Sequence, residues 1–205
     1  MKKISIIILV FLMTLTSCMP LLKMYYGIKN PEIENKESII KYCKKKGMNM
    51  INLATINIDD YVSKLNGVPD ADIFNKEGDY IEYRQTDSSC NAGLFAFIPE
   101  LHRDSVYRLT GKTNLNEEIK KVRTLTGEQF VLSDTSDYDF YVIMYWARFT
   151  GRLNKDHINI WEQEANNNKN AKIKVIKVNV DIQEYWGKPG IEIYEGINKK
   201  IGHKE

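Results

Sequence analysis

Two cysteines, Cys43 and Cys90, carry thiol groups that could do redox or nucleophilic chemistry, because the thiolate is the reactive form of cysteine. Cys43 stands directly before Lys44-Lys45-Lys46, whose charges would lower the pKa of its thiol. Cys90 follows two serines near the start of a predicted helix, a position that favours a thiolate. Two interpretations stay open: a structural role, as a disulfide or as two buried thiols, or a redox pair.

The histidines form no recognisable site. His157 falls on the apolar side of its predicted helix, and Glu164 lies further along the same side, so the two could form an acid-base or metal pair. Two ligands do not make a zinc site, and a histidine packed in the core is the simpler interpretation. His102 and His203 have no partner at a recognisable spacing. Since the chain also lacks a glycine-rich phosphate loop, a nucleophile elbow and a metalloprotease motif, we expect neither a metal nor a cofactor.

The second half of the chain has the hydrophobic pattern of a strand, a helix and a second strand. Phe140–Ala147 is apolar on both faces, as in a central strand, and Ile173–Val180 has the same character. Between them, Leu153–Asn166 has a one-sided apolar face, which is typical of a helix packed on a sheet. Because the connections are short, we expect a right-handed βαβ unit with parallel strands.

The first half of the chain contains one clear hairpin. Ala71–Phe74 and Tyr80–Tyr83 are short β-rich runs separated by a polar loop that contains Gly78. Gly47 is placed to end a short amphipathic helix as its C-terminal cap. Together with that helix at 37–46, the pattern predicts helices at 90–101 and 114–125, a helical turn at 59–66, and strands at 49–57 and 129–132.

The N-terminal residues have the organisation of a secretion signal. A basic start precedes the apolar run Ile4–Met13, which is shorter than the about 20 residues of a membrane span. Leu15-Thr16-Ser17-Cys18 then resembles the lipobox of bacterial lipoproteins. The resemblance implies that residues 1–17 are removed, that Cys18 carries fatty acyl chains such as palmitate and anchors the protein in a membrane, and that residues 18–35 form a tether.

The residues after Cys18 bear on which membrane holds the anchor. Met19 stands where the enterobacterial retention signal has Asp, and residues 20–23 lack the acidic run of surface-exported lipoproteins. We therefore expect anchorage at the periplasmic face of the outer membrane of a bacterial cell envelope.

The βαβ block resembles the active-site region of the thioredoxin family. Tyr145–Leu153 (YWARFTGRL) is similar to the family's aromatic-Trp-Ala motif that runs into Trp-Cys-Gly-Pro-Cys at the start of a helix. Val178–Asp181 (VNVD) is similar to the end of the family's next strand, so the resemblance covers about 40 residues, Phe140–Asp181, and implies a thioredoxin-like domain. Thr150 and Leu153 occupy the positions of the two cysteines. The resemblance therefore also implies that this loop has lost thiol-disulfide exchange.

Without the cysteines, the loop keeps residues that could bind a ligand. Arg148 and Arg152 flank the N-terminal end of the predicted helix, where free N–H groups and the helix dipole favour an anion. Thr150 could instead be the N-cap of that helix. Val68 and Pro69 form the facing loop that the resemblance implies. The candidate site on the degenerate loop consists of Trp146, Arg148, Phe149, Thr150, Gly151, Arg152 and Leu153.

The order of the elements departs from the family, in which a hairpin entered through a cis-proline follows the βαβ unit. Here Val68-Pro69 and the hairpin come first. Either the fold is a circular permutation, in which an early αβα-ββα part (36–102) completes the sheet of the late βαβ part (128–205), or the early part is a degenerate unit and Pro189–Tyr194 begins a second, truncated hairpin. We favour one permuted domain over 36–205, with extra N-terminal helices, because only 17 residues remain from Pro189 onward.

Composition and charge exclude several classes of protein. The chain is 43% hydrophobic and 27% charged, which is ordinary for a globular protein. Without the signal peptide, 27 basic residues balance 27 acidic ones, which removes the electrostatic reason to expect a nucleic-acid partner. We therefore expect an α/β envelope protein that binds an unknown protein or peptide partner and is not an enzyme. The alternative is a thiol-disulfide oxidoreductase or redox sensor that uses Cys90 with Cys43.

Overall fold

A seven-stranded mixed β-sheet lies at the centre of the computed structural model, which describes residues 18–65, 67–84, 91–133 and 137–202. The strands of the described residues are β1 (Ile33–Glu34), β2 (Leu53–Ile56), β3 (Asp70–Asn75), β4 (Asp79–Ile81), β5 (Leu109–Asn114), β6 (Val122–Arg123), β7 (Phe140–Trp146), β8 (Ile173–Asn179) and β9 (Ile182–Gln183). The order across the sheet is β5-β4-β3-β7-β8-β2-β6, and β1 pairs with β9 in a separate parallel ladder. Within the sheet β7, β8 and β2 are parallel, and every other pair is antiparallel.

The middle of the sheet is built by β7 and β8, which pair in parallel from Phe140 with Ile173 to Trp146 with Asn179. Every residue of both strands is buried. Alternate side chains of β7 enter two different hydrophobic cores, one on each face of the sheet. The predicted parallel strands are therefore confirmed, and their two-sided apolar pattern reflects a packed layer on each face.

Helices cover both faces of this sheet. Those of the described residues are α1 (Cys18–Tyr26), α2 (Lys36–Lys46), α3 (Tyr61–Leu65), α4 (Leu94–Phe97), α5 (Leu115–Lys120), α6 (Leu153–Asp156), α7 (Ile158–Asn167) and α8 (Lys188–Gly202). Side chains of α2, α4 and α7 enter the core on one face, and those of α3, α5 and α8 enter the core on the other. The fold is therefore mixed α/β, in agreement with the predicted class. No helix within the described ranges has the length and apolar character that crossing a bilayer requires.

The ends of α2 are fixed by local sequence. The Asn35 side chain accepts a hydrogen bond from the Ser38 N–H, and the Ser38 hydroxyl accepts one from the Asn35 N–H, each at 3.0 Å. This reciprocal pair is a capping box, which satisfies N–H groups that have no partner within the helix. Gly47 ends the helix in the left-handed region, with φ of 65°, where only glycine has no Cβ penalty. The predicted helix and its stop are confirmed.

The early hairpin belongs to the same sheet as the late βαβ block. β3 pairs antiparallel with β4 and, on its other side, antiparallel with β7 along its whole length. The Val68–Pro69 peptide bond is cis and directly precedes β3. Pro189–Tyr194 lies inside α8, so the interpretation in which it begins a second hairpin is wrong.

Two predicted helices are shorter than the sequence pattern indicated. The helix predicted at 90–101 consists of a 3₁₀ turn at Asn91–Gly93 followed by α4, and Pro99, which lacks an N–H, stands just beyond it. The helix predicted at 114–125 ends with α5, because the next residues leave the helix to pair with β2 as β6. The missing N–H of Pro99 therefore limits the first helix, and strand pairing limits the second.

Other boundaries also move. The helix predicted at 153–166 is broken at His157, whose φ of −125° and ψ of −71° are not helical, so it becomes α6 and α7. The strand predicted at 49–57 narrows to β2. Of the strand predicted at 129–132, Gln129 forms an isolated bridge with Arg123.

Residues 26–35 contact the domain, whereas the sequence indicated an unpacked tether over 18–35. α1 occupies the first half, and β1 pairs with β9 next to α8. Glu34, at the end of β1, is 1% exposed. Residues 1–17, the predicted signal peptide, lie outside the described residues.

Candidate functional site

The loop that resembles an active-site segment lies at the carboxyl end of β7. After Trp146 the chain passes through a 3₁₀ turn at Arg148–Thr150 and through Gly151 before α6 begins. Asp181, which follows β8, lies at the same edge, and its Oδ2 accepts a hydrogen bond from the Arg148 N–H at 2.6 Å. The two short motifs of the sequence are therefore brought together, at the edge where open α/β sheets bind ligands.

Thr150 and Leu153 stand where the resemblance puts cysteines, and neither carries a thiol. Thr150 is buried, and its hydroxyl lies 2.7 Å from the Ala147 carbonyl oxygen and 2.9 Å from Asn154 Oδ1. The N-cap position of α6 is Arg152, which makes no side-chain cap hydrogen bond. The predicted N-cap role of Thr150 is therefore wrong, because its hydroxyl joins the 3₁₀ turn to α6 and caps no helix.

The two arginines of the loop are already engaged by the protein. Arg148 Nη1 contacts the buried carboxylate of Glu34, and its Nη2 lies 3.9 Å from Glu32 Oε2. Arg152 Nε lies 3.8 Å from Asp156 Oδ2, one helical turn away. The anion site predicted at these arginines is therefore occupied by internal ion pairs.

Backbone from residues 26–29 covers the start of α6. The Arg152 N–H donates to the Tyr26 carbonyl at 2.7 Å, and the Lys29 N–H donates to the Phe149 carbonyl at 2.9 Å. Gly151 permits this approach, because a Cβ at that position would lie 2.3 Å from the Tyr26 carbonyl oxygen. The chain itself therefore takes one of the N–H groups at the helix N-terminus that the sequence offered to an anion.

A cavity of about 410 Å³ opens beside the loop. Its walls are the segment from Gly27 to Glu34, one side of α2, and the loop residues Arg148, Phe149 and Gly151. Three of the predicted site residues therefore line the cavity. The other four do not: Trp146, Thr150, Arg152 and Leu153.

Tyr42 is a firmly held part of the cavity wall. Its ring stacks on Trp146, with the centroids 5.7 Å apart and the planes at 19°. Its hydroxyl donates to the Gly151 carbonyl at 3.1 Å and accepts from Asn154 Nδ2 at 2.9 Å. Burial raises the pKa of Tyr42, so the phenol stays neutral and remains a donor. Sequence reasoning missed Tyr42, because nothing local distinguishes it from the other side chains of α2 that pack against the core.

Lysine side chains determine the charge of the cavity. Five cationic side chains and two carboxylates line it: Lys29, Lys41, Lys45, Lys46 and Arg148, with Glu32 and Glu34. Both carboxylates lie against Arg148, and within the described residues none of the four lysines has an ion-pair partner. Lys46 Nζ lies 5.9 Å from the centroid of the Tyr42 ring. The cavity therefore carries an excess of three positive charges. Of its lysines, sequence reasoning considered only Lys45 and Lys46, as neighbours of Cys43.

The facing loop, Val68 and Pro69, reaches the same edge of the sheet but stays out of the cavity. Asp70, which follows it, pairs with Tyr145 near the end of β7. Pro69 is buried, and its carbonyl accepts a hydrogen bond from Asn91 Nδ2. Val68 packs against the core on the α3 side of the sheet. This loop therefore contributes to packing at the end of the sheet and not to the cavity wall.

Cys43 is a free thiol with no exposed surface. Burial raises the pKa of the Cys43 thiol to about 11, although the ammonium group of Lys177 acts in the opposite direction. The predicted lowering of this pKa by Lys44–Lys46 is therefore wrong, because the loss of hydration outweighs nearby charge. Cys90 lies outside the described residues, so its pairing with Cys43 stays a prediction.

His157 has the contacts of a packed core residue. Its Nδ1 lies 3.0 Å from the Leu153 carbonyl oxygen, and its ring centroid lies 5.3 Å from those of Phe95 and Trp161. Among the described residues, no group of three or more His, Cys, Asp or Glu side chains is arranged to hold a metal ion. His203 lies outside them.

Comparison with known protein families, with curated proteins and with solved structures finds no match to this chain. The functional proposal therefore depends on the cavity and on the loop beside it.

Proposed function

We propose that this chain is a lipid-anchored envelope protein whose thioredoxin-like domain binds a protein or peptide and performs no thiol-disulfide exchange at its degenerate loop. The observation that carries the proposal is the 410 Å³ cavity beside Arg148, Phe149 and Gly151. At the positions where the family has cysteines, this loop has a hydrogen-bonded Thr150 and an apolar Leu153. The loop therefore offers a shaped surface without a nucleophile.

We also propose that the domain is a circularly permuted thioredoxin-like fold. Two observations support this proposal: β7 and β8 are parallel strands joined through helices, and β3 of the early hairpin lies antiparallel to β7. The early hairpin thereby extends the sheet of the late βαβ block, as a permutation requires.

Anchorage is the third part of the proposal. Cys18 of the lipobox-like sequence would carry the acyl chains and hold the protein at the periplasmic face of the outer membrane. The partner would then be a protein or peptide of the cell envelope, because the balance of 27 basic and 27 acidic residues in the mature chain gives no electrostatic reason to expect nucleic acid.

The alternative, an oxidoreductase or redox sensor that uses Cys90 with Cys43, has less support. A thiol nucleophile needs access to its substrate and a pKa near the ambient pH, and Cys43 has neither.

Site-specific photo-crosslinking in intact bacterial cells tests the binding function. A benzophenone amino acid replaces Lys45, which lines the cavity, or Lys44, which is equally exposed on the same helix but does not line it. We expect a discrete crosslinked adduct from position 45 and none from position 44. Absence of an adduct at position 45, or the same adduct at both positions, would contradict a binding site in this cavity.

A further inference from the structure

We infer that the cavity beside the degenerate loop binds an acidic peptide segment, in which Asp or Glu side chains meet Lys29, Lys41 and Lys45. This inference rests on the proposed binding function and adds the chemical class of the ligand. It differs from the anion site expected at Arg148 and Arg152, whose guanidinium groups the protein has already paired.

The first argument is charge. The two carboxylates of the cavity, Glu32 and Glu34, lie on Arg148, with Glu34 buried against it. Arg148 and these two carboxylates together carry one negative charge, so the four lysines still leave an excess of three positive charges. A concave, partly enclosed surface concentrates such a field more than a flat surface does, so it attracts a ligand of opposite charge.

The second argument is the arrangement of α2. Ile39 and Cys43 face the core, whereas Lys41 and Lys45 face the cavity one helical turn apart. Side chains at this spacing lie about 5–6 Å apart at their Cβ atoms. Alternate side chains of an extended peptide point to one side and lie about 6.6 Å apart. Two carboxylates at alternate positions of an extended peptide can therefore meet the two ammonium groups, and Lys29 lines the same cavity.

The third argument favours a carboxylate-bearing peptide over a phosphate. Bidentate recognition of phosphate uses a free guanidinium fork, and the fork of Arg148 is taken by Glu34. Flexible ammonium groups instead act as point charges toward separated carboxylates. The rings of Tyr42 and Phe149 in the same walls provide apolar surface for the peptide backbone and for neighbouring side chains.

Fluorescence anisotropy on the mature lipidated protein in uncharged detergent micelles tests the ligand class. The probes are fluorescein-labelled hexaglutamate and hexaglutamine, each titrated at low and at moderate salt. We expect hexaglutamate to bind, hexaglutamine not to bind, and the affinity for hexaglutamate to fall as salt is added, because exposed charges are screened.

Two double variants of α2 test the location. Lys41→Glu with Lys45→Glu should weaken hexaglutamate binding by roughly tenfold or more, because two attractive charges become repulsive. Lys36→Glu with Lys44→Glu makes the same change in net charge on exposed residues of the same helix that do not line the cavity, and should change affinity less than about twofold. Lys41→Gln with Lys45→Gln adds no repulsion and should give an intermediate loss of hexaglutamate affinity. This variant replaces the Glu double variant in the test if the latter does not fold.

The outcomes separate this inference from the proposed function. Equal losses in the two Glu double variants, or no hexaglutamate binding at low salt, would overturn the acidic ligand. If position 45 still captures a partner in cells, the binding function stands and only the ligand class is wrong. Hexaglutamate binding that depends on Lys41 and Lys45 supports the inference whether or not a cellular partner is captured.

Discussion

Asp181 keeps a carboxyl group in the protein interior, directly behind the loop. Its Oδ2 accepts hydrogen bonds from the Arg148 N–H and from Asn179 Nδ2, while Oδ1 has no hydrogen-bond partner within the described residues. Burial raises its pKa from 3.8 to about 7 in spite of these hydrogen bonds, and the nearby carboxylate of Glu34 adds to the effect. The folded state therefore binds this proton more tightly than the unfolded state does.

This shift predicts a loss of stability as the pH rises. Between about pH 4 and pH 7 the folded state holds more protons than the unfolded chain, so the free energy of unfolding falls with pH, by at most about 1.4 kcal/mol per unit for one group. Asp181→Asn should remove this slope. Urea unfolding at pH 5, 6, 7 and 8 measures it, and an unchanged slope in the variant would show that another group is responsible.

Glu118 provides a matched control for Asp181. Lys64 and hydrogen bonds from Lys121 and Thr113 lower the pKa of Glu118 to about 2, against the effect of burial. Its contribution to stability is therefore complete above about pH 4.5 and is lost as the pH falls toward 2. Glu118→Gln should lower the free energy of unfolding at every pH from 5 to 8 without altering the slope over that range.

The burial of Cys43 predicts an unreactive thiol. With no exposed surface and a pKa of about 11, Cys43 should resist iodoacetamide at pH 8 in the folded protein and react fully in urea. Peptide mapping by mass spectrometry measures this, and the Cys90 peptide is quantified in the same digest. Rapid labelling of native Cys43, or a reversible bridge to Cys90, would instead favour the redox alternative.

At the scale of elements, the packing of residues 26–29 on the loop depends on one glycine. Gly151 has φ of 62° and ψ of −118°, and a Cβ added at this position would lie 2.3 Å from the Tyr26 carbonyl oxygen. Gly187 has nearly the same backbone, with φ of 63° and ψ of −138°, and likewise follows a 3₁₀ turn, but a Cβ there would meet nothing within 4 Å. The two positions therefore separate backbone strain from the contact with the N-terminal segment.

We expect both alanine variants to be less stable than the parent. Each places a side chain on a backbone conformation that favours glycine, which costs about 1–3 kcal/mol. Gly151→Ala should lose about 1–3 kcal/mol more than Gly187→Ala, since the clash displaces residues 26–27. Urea unfolding gives the difference, and limited proteolysis should cut residues 18–30 faster in Gly151→Ala alone. Equal stability of the two variants would mean that the segment contributes little to the fold.

The sequence alone predicted the elements whose signals lie in neighbouring residues or in a run that is apolar on both faces. β7 and β8 are apolar on both faces, and α2 has its cap residues next to it in the chain. It was not sufficient for the cavity, because Lys29, Lys41 and Phe149 come from separate parts of the chain and no spacing rule joins them. The engagement of Arg148 by Glu34 is a long-range contact of the same kind, so the sequence could not show that this guanidinium group is already paired.

At the scale of the whole molecule, the proposed anchor and the proposed binding site are close together. α1 begins at Cys18 and has nine residues, so it spans about 14 Å, and Gly27, immediately after it, lines the cavity. With acyl chains on Cys18, the cavity would lie within about this distance of the bilayer surface. A partner that carries the proposed acidic segment would therefore have to reach the cavity close to the membrane surface.

This arrangement requires that Cys18 is the acylated first residue of the mature chain. The intact mass of protein purified from bacterial membranes should correspond to a chain that lacks residues 1–17 and carries fatty acyl groups, because anchoring by lipid requires them. Cys18→Ser should abolish the added mass, whereas Cys43→Ala, which removes the buried thiol, should retain it. Unmodified Cys18, or retention of residues 1–17, would remove the membrane constraint on the partner and leave a binding domain whose ligand can approach from any direction.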